Sequence, residues 1–151
     1  MSEQNRYGQL IKFINIEIQK KINSQLVSLP DNPPHPTGPQ MEIMSFLYEN
    51  EDKHIYQRDL ENVLNLSKPT INGLVKRLRN ANMINLLPST NDKRYKEIVI
   101  SNMAKHQMKK DKAKFDQYIV TIENQLTSGM TEKEKNTFHF LLTKALHNIK
   151  K

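Results

Sequence analysis

The fold is indicated by a single stretch, Leu64–Ile84, which reads LNLSKPTINGLVKRLRNANMI. Ser67 is a good N-cap because its hydroxyl can accept a hydrogen bond from a backbone N–H two or three residues later. Pro69 falls in the first turn, where a missing N–H costs little. Apolar side chains then recur at the i, i+3, i+4, i+7 spacing that gathers them on one helical face. The stretch therefore predicts a helix that begins at Ser67 and buries Ile71, Leu74, Val75 and Leu78.

A second, shorter helical pattern lies just upstream, in IYQRDLENVLNL (55–66). Its predicted apolar face carries Leu60, Val63 and Leu64, and Asn65 suits its end because asparagine tolerates the left-handed conformation. Two short helices joined by a tight turn form a helix-turn-helix, whose second helix conventionally lies in the DNA major groove. The polar face of the second helix is therefore the predicted DNA contact. That face carries Pro69, Asn72, Gly73, Lys76 and Asn80, with Thr70 and Arg77 on its flank.

The pattern changes period after this helix. A short apolar run, 84–87, is followed by the loop chemistry of PSTNDKR (88–94), and then by alternation of Ile98 and Ile100 with Glu97 and Val99. These segments predict a β-hairpin with a charged tip. A hairpin directly after a recognition helix is the wing of a winged helix, and its tip cations, Lys93 and Arg94, can reach the DNA backbone or the minor groove.

Three motifs in this order, SKPTINGLVKRL (67–78), MI (83–84) and NDKRYKEIVIS (91–101), resemble the MarR (multiple antibiotic resistance regulator) family of bacterial winged-helix transcription regulators. The resemblance is specific over 55–101 and looser over the flanking helices. It implies a homodimeric repressor or activator, relieved by a small ligand in the crevice between the dimer helices and the winged lobe. Tyr56 departs from the family pattern, since a Ser or Thr cap is usual before QRDLENVL.

The resemblance implies that the outward face of the recognition helix meets bases and phosphates, with Arg77 on the DNA backbone. It also implies that Asp92 with Arg94 shapes the wing tip and inserts a cation into the minor groove. The candidate DNA-binding residues are Ser67, Lys68, Pro69, Thr70, Asn72, Gly73, Lys76, Arg77, Asp92, Lys93 and Arg94.

A different class of function remains open for the same fold. A winged helix can serve as a protein-interaction module, in which the exposed face of the Ser67 helix docks a protein without specific DNA binding. The wing discriminates between the two, because a protein-docking version has no need of NDKR (91–94) beside Lys76 and Arg77. We therefore favour DNA.

Helices are predicted on the N-terminal side of the winged lobe. Apolar residues at three- and four-residue intervals from Tyr7 to Leu26 predict a helix that ends before PDNPPHPTGPQ (30–40), a stiff proline-rich link. Thr37 with Gln40 forms a capping-box pattern that starts the next helix. The predicted core face of that helix carries Met44, Leu47 and Tyr48.

Two more helices are predicted after the wing. Ser101 caps a long one that Gly129 stops, and Thr131 with Glu134 starts the last. The predicted domains are an N-terminal dimerisation helix (1–29), a winged lobe (37–101) and C-terminal dimerisation helices (102–151). A partner chain would cover the terminal apolar stripes, whose candidate dimerisation residues are Ile11, Ile14, Ile18, Phe138, Leu141 and Leu142. The alternative is a monomer whose terminal helices pack on their own lobe. The predicted fold class is thus mainly α with a small β-hairpin.

The composition suits a polyanionic partner, since the net charge of the 151 residues is +7. We expect the lysines of KHQMKKDKAK (105–114), including Lys112, only to solvate a long helix. The absence of cysteine excludes a disulfide framework and a thiolate metal site. No signal-peptide pattern and no apolar run of about 18 residues occurs, so we expect a cytoplasmic protein without membrane contact.

The sequence contains no motif that indicates catalysis or cofactor binding. The histidines form neither H-x-x-x-H nor H-E-x-x-H spacing, and neither G-x-S-x-G nor a phosphate-binding glycine loop is present. A fold could still gather His35, His54 and His106 around a metal, but each is better explained as a surface or packing histidine. We expect no enzyme activity, no cofactor and no metal.

Overall fold

The computed structural model describes residues 6–27, 38–89, 91–92 and 94–151. Residues 30–37 of the predicted proline link, including Thr37, lie outside the described residues, as does Lys93, whereas the last three residues of that link, 38–40, form the start of α2. The elements follow in the order α1 (Tyr7–Val27), α2 (Gly38–Glu49), α3 (Gln57–Leu64), α4 (Lys68–Asn80), β1 (Ile84–Pro88), β2 (Lys96–Ile100), α5 (Asn102–Leu126) and α6 (Glu132–Ile149). This order confirms the prediction of a mainly α fold with one β-hairpin.

The chain forms two units whose boundary falls inside α5, between Asp116 and Gln117. The first unit contains α1 to β2 and the first part of α5, and the second contains the rest of α5 and α6. The division into domains at 1–29, 37–101 and 102–151 remains a prediction.

The core of the first unit is built around α4, which packs against α3 and β1. The four residues of the predicted apolar face of α4, Ile71, Leu74, Val75 and Leu78, are all buried. Opposite them lie side chains of α2, α3 and the hairpin, among which Ile43, Met44 and Leu60 are fully buried. On α2 the core face is therefore wider than predicted, and it includes Met41 and Ile43 in addition to Met44 and Leu47.

The predicted start of α4 and the predicted end of α3 are both present in the helix-turn-helix. Ser67 caps α4 by accepting a hydrogen bond from the Thr70 N–H at 3.3 Å. Asn65 ends α3 with φ 54° and ψ 43°, the predicted left-handed conformation. Of the three residues predicted to share the apolar face of α3, Leu60 is buried, Leu64 is half-buried and Val63 is 54% exposed, so the core covers only part of this face.

The hairpin is antiparallel, with Ile84 opposite Ile100 and Leu86 opposite Ile98. The Ser101 N–H donates to the Met83 carbonyl at 3.0 Å, which extends the pairing by one residue at the end nearest α4. The Ile98 N–H donates to the Ile55 carbonyl at 2.8 Å, and this bond attaches β2 to the segment before α3.

Lys112 does more than solvate α5, contrary to the prediction. Its side chain is only 14% exposed, and its Nζ lies 2.6 Å from Glu49 Oε1 at the end of α2 and also pairs with Asp116. Nearby, Lys105 Nζ lies 2.5 Å from Glu51 Oε2. These ion pairs join the first part of α5 to the end of α2. The periodicity of α5 could not show this, because the partners are far away in sequence.

The terminal helices expose much of their apolar surface. Ile22 is the buried residue of α1 and packs where α1 crosses α2, so closely that a Cβ on Gly38 would lie 3.3 Å from Ile22 Cγ2. Ile11 and Ile14 are 50% and 37% exposed, and Ile18 is half-buried.

In the second unit, α6 starts at the predicted Thr131 cap, whose Oγ1 accepts a hydrogen bond from Glu134 N–H at 3.1 Å. This helix has no buried residue: Phe138 is half-buried, and Leu141 and Leu142 are 54% and 42% exposed. Within the described ranges, no helix is long and apolar enough to cross a bilayer.

Candidate nucleic-acid interface

The predicted contact residues of α4 lie together on one exposed surface, opposite the buried stripe. We call this surface the α4 face, defined by Ser67, Lys68, Pro69, Thr70, Asn72, Gly73, Lys76 and Arg77. All of them are exposed except Gly73, which is half-buried. The helix period accounts for this, since residues half a turn from Ile71 and Leu74 must point away from the core.

The first turn of the α4 face is held in place by polar contacts. Ser67 Oγ and Thr70 Oγ1 lie 2.8 Å apart, and Gln57 Nε2 donates to the Lys68 carbonyl at 3.5 Å. At Gly73 an added Cβ would meet no atom within 4 Å, so the glycine is not needed for packing inside this chain. The missing side chain instead leaves room for a partner to approach the backbone of α4 closely.

At the wing tip, Asp92 holds Arg94. The Asp92 carboxylate accepts hydrogen bonds from Arg94 N–H at 3.0 Å, from Nε at 3.1 Å and from Nη2 at 2.8 Å. These bonds, first from the side chain and then from the backbone of Arg94, lower the pKa of Asp92 below its ordinary range. The same contact raises the pKa of Arg94, whose guanidinium also lies 5.9 Å from the centroid of the Tyr95 ring.

The loop at the wing tip is organised by Ser89, which directly follows β1 and which sequence reasoning missed. Ser89 is 6% exposed, and its Oγ accepts hydrogen bonds from Asn91 N–H at 3.3 Å and Asp92 N–H at 3.4 Å. Tyr56 Oη lies 3.1 Å from the same Oγ. Serine hydroxyls often bind backbone amides two or three residues later in a turn, so this local role of Ser89 could have been predicted from PSTND (88–92). The hydrogen bond between Ser89 and Tyr56 could not have been predicted in this way.

Tyr56 itself does not cap α3 with its side chain. Its backbone N–H donates to Asp59 Oδ2 at 2.8 Å. The capping hydrogen bond of α3 is therefore accepted by the carboxylate of Asp59, in the first turn, and does not involve the Tyr56 side chain. The departure from the usual Ser or Thr cap therefore leaves the Tyr56 ring available to reach the wing.

A groove of about 1060 Å³ lies between α4, the start of α3 and the hairpin. It brings Asn72 and Lys76 of the α4 face to the same depression as Asp92 and Arg94 of the wing. Six basic and two acidic side chains line it, so its charge is positive. These are Arg58, Lys68, Lys76, Arg79, Arg94 and Lys96, with Glu61 and Asp92.

Three of those basic residues, Arg58, Arg79 and Lys96, were not predicted as contacts. Arg79 lies on α4 beyond the residues that the motif singles out, and Arg58 and Lys96 belong to α3 and β2. Only the packing of the three elements makes them neighbours.

The geometry offers little to a metal. No cluster of three or more His, Cys, Asp or Glu that could hold an ion occurs in the part of the chain that the structure describes. His54 Nδ1 instead lies 3.0 Å from Glu97 Oε1, at the base of the hairpin. His35 lies outside the described residues.

Comparison with known proteins agrees with this geometry. Residues 36–94, which contain α2, the helix-turn-helix and most of the wing, match the model of the MarR family. Among curated proteins, none matches this sequence.

Solved structures also reproduce the fold over nearly the whole chain. The MepR–DNA complex of S. aureus has a TM-score of 0.79 at 23% identity and covers 95% of this chain and 98% of its own. A cysteine-to-serine mutant of E. coli MarR with operator DNA has a TM-score of 0.75 at 21% identity, covering 97% and 99%. Bordetella bronchiseptica BpsR has a TM-score of 0.76 at 14% identity, covering 96% of each chain.

Proposed function

We propose that this protein is a transcription regulator of the MarR type that binds double-stranded DNA sequence-specifically. The observation that carries the proposal is the basic groove in which the α4 face and the wing tip meet. Such a surface suits a duplex, because a helix reads base edges in the major groove while cations beside it neutralise phosphates. The MepR and MarR structures with DNA support the same assignment.

Within this proposal, the α4 face divides by chemistry. Asn72 has an amide that can donate and accept at once, which is the geometry that pairs with adenine N6 and N7. Lys76 and Arg77 carry only donors and suit phosphates. Ser67 and Thr70 bond to one another and to the first turn of α4, so their role is to hold the turn against the DNA as well as to touch it.

The wing supplies the second contact of each half-site. Asp92 orients Arg94 at the tip, where the guanidinium retains N–H groups beyond those bound to the carboxylate. An arginine presented in this way fits a narrow minor groove, whose negative potential attracts it. Lys93 keeps its predicted role beside Arg94, although it lies outside the described residues.

We further propose that the protein acts as a homodimer. Large apolar side chains remain exposed on α1, including Tyr7, Ile11 and Phe13, and on α6, including Phe140, Leu141 and Ile149. Several large apolar side chains exposed along one helix indicate an interaction site on each of these helices. A two-fold dimer would place two α4 helices in successive major grooves about 34 Å apart, on a pseudo-palindromic operator. The segments 1–29 and 102–151 are the proposed dimerisation regions.

The resemblance to the MarR family also suggests how the protein regulates transcription. We propose that it represses its target genes and that a small-molecule effector relieves this repression. A relative that supports an effector is BpsR, whose DNA binding is regulated by 6-hydroxynicotinic acid. The effector of this chain need not share that chemistry, given 14% identity.

Selection of bound sequences from random duplexes tests the central proposal. We expect enrichment of an inverted repeat with half-sites about one helical turn apart. Enrichment of a single half-site would contradict the dimer, and recovery of unenriched sequences would favour the protein-interaction alternative. Adding Lys76→Ala and Arg94→Ala variants to the selection links any enrichment to the groove.

A further inference from the structure

The start of α3 touches the wing through Tyr56, a residue outside the predicted DNA-binding set. Its Oη lies 3.1 Å from Ser89 Oγ, and either oxygen could be the donor if this pair stood alone. The pair does not stand alone, because Ser89 Oγ also meets the backbone N–H groups of Asn91 and Asp92 at 3.3 and 3.4 Å. The direction of the Tyr56–Ser89 hydrogen bond can therefore be worked out.

A serine hydroxyl has two acceptor lone pairs and one proton. The Asn91 and Asp92 amides can only donate, so they occupy both lone pairs of Ser89 Oγ. The one remaining group on Ser89 is its own O–H, which must donate to Tyr56 Oη. Tyr56 is the acceptor in this pair, and its phenolic proton is left over.

Tyr56 lines the groove together with Asn72, Lys76 and Arg94, and its side chain is half-buried. Among the described residues, Ser89 is the hydrogen-bond partner of Tyr56 Oη, so neither carboxylate of the groove accepts the phenolic proton. A donor in a partly enclosed site is costly to leave without an acceptor. A bound molecule that brings an acceptor would therefore satisfy this proton.

We propose that the Tyr56 hydroxyl donates to a backbone phosphate oxygen of bound DNA, between the α4 face and the wing tip. The inference rests on the proposed function and adds a contact to it. A phosphate supplies an acceptor for the phenol and a negative charge that suits the excess of cations in the groove, and tyrosine hydroxyls are common phosphate donors. A base edge fits less well, because Tyr56 precedes α3 and does not lie on the helix that would enter the major groove. Ser89 orients the hydroxyl of Tyr56, because the Ser89 O–H donates to the lone pair of Tyr56 Oη and leaves the phenolic proton for the phosphate.

Tyr56→Phe tests the contact by removing only the hydroxyl. On the duplex obtained by selection and on a scrambled duplex, we expect about a 3- to 10-fold loss of affinity, the worth of a hydrogen bond to a charged group partly replaced by water. The loss should be equal on both duplexes and constant across a salt series, because a neutral phenol releases no counterions. Tyr48→Phe is the matched control: Tyr48 is half-buried on α2 and does not line the groove. Wild-type affinity in Tyr56→Phe would overturn the proposal.

Amide hydrogen exchange separates a DNA contact from a purely structural role. Tyr56→Phe leaves the hydrogen bonds from Asn91 and Asp92 to Ser89 in place, so we expect unchanged exchange at these amides. Ser89→Ala removes their acceptor, and we expect faster exchange there. Faster exchange in Tyr56→Phe would mean that the phenol only supports the wing, which would contradict the proposal.

Duplexes with single methylphosphonate substitutions locate the acceptor. At one phosphate in each half-site, the substitution should weaken wild-type binding and have a several-fold smaller effect on Tyr56→Phe, since that variant has already lost the bond. Equal sensitivity of both proteins at every phosphate would overturn the inference while leaving DNA binding intact. Failure of the wild-type protein to bind any duplex would instead remove the proposed function itself, and this contact with it.

Discussion

Asp92 and Arg94 form a forked ion pair at the wing tip, with Arg94 Nη2 2.8 Å from Asp92 Oδ2 and Arg94 Nε 3.1 Å from Asp92 Oδ1. The side chains are two residues apart and both belong to the solvent-facing tip, so neither is forced into place by a core. The carboxylate orients the cation before any DNA is present. An acidic residue thus assists a surface that would bind a polyanion.

Asp92→Asn should therefore weaken DNA binding, although it removes a negative charge from the groove. The expected loss of affinity is about 2- to 10-fold, because a long side chain that is no longer held in advance must be immobilised when DNA binds. Fluorescence anisotropy on the selected duplex measures it. The control is Glu61→Gln, which removes the other acidic charge lining the groove without touching Arg94. Equal tightening by both substitutions would show that Asp92 acts only through its charge.

The pH dependence of the same pair has a defined sign. Arg94 lowers the pKa of Asp92. The ion pair therefore stabilises the folded wing at pH values above the ordinary aspartate pKa of about 3.9, and this stabilisation is lost as the pH falls through the lowered pKa. Carboxyl chemical shifts followed by NMR should give an Asp92 midpoint below the ordinary range. In Arg94→Gln the midpoint should move back up, and the same midpoint in both proteins would contradict the ion pair in solution.

Substitutions of Asn72 and Lys76 should have different effects on DNA binding, because Asn72 is proposed to contact base edges and Lys76 is proposed to contact phosphates. Asn72→Ala should cost on the order of 1–3 kcal/mol on the selected duplex and little on a scrambled one. Lys76→Ala should weaken both duplexes and reduce the salt slope by roughly one unit per half-site. Anisotropy across a salt series measures both effects. A loss of the same factor on both duplexes in Asn72→Ala would remove the α4 face from the major groove.

Lys112 should stabilise the first unit through its contacts with Glu49 and Asp116. Burial alone would lower the pKa of Lys112, but hydrogen bonds and charge from these two carboxylates outweigh it and raise the pKa. The carboxylates are 57% and 52% exposed, so water can replace the lysine in part. Lys112→Met should lower the free energy of unfolding in urea by about 1 kcal/mol. Lys109→Met, an exposed neighbour on α5, should leave it unchanged, and equal effects would contradict a specific role.

Leu141 should lie in the interface of the proposed homodimer. Sedimentation equilibrium of the wild-type protein should give twice the chain mass of 17.7 kDa at micromolar concentration. Leu141→Glu places a charge on a 54% exposed apolar side chain and should shift the equilibrium to the single chain. Asn136→Glu changes an exposed polar residue of the same helix and should remain dimeric. A wild-type protein near 17.7 kDa would refute the dimer.

Much of the winged lobe could be predicted from the sequence, because its elements depend on chemistry within a few residues. Ser67 starts α4 and Asn65 ends α3, since a hydroxyl reaches only the next turn and a left-handed residue acts where it stands. The 3.6-residue period was enough to separate the buried Ile71 from the exposed Asn72. The hairpin followed from its change to a period of two.

The remaining contacts were decided by the tertiary structure. Periodicity tells which side of a helix is apolar or polar, but it does not tell what lies opposite. Ser89 meets Tyr56 from 33 positions away, and Lys112 reaches Glu49 on another helix. Val63 fits the apolar pattern of α3 and is nevertheless exposed, whereas Leu60 on the same helix is buried. A side chain's pattern is a local property, whereas its partner depends on how separate elements pack.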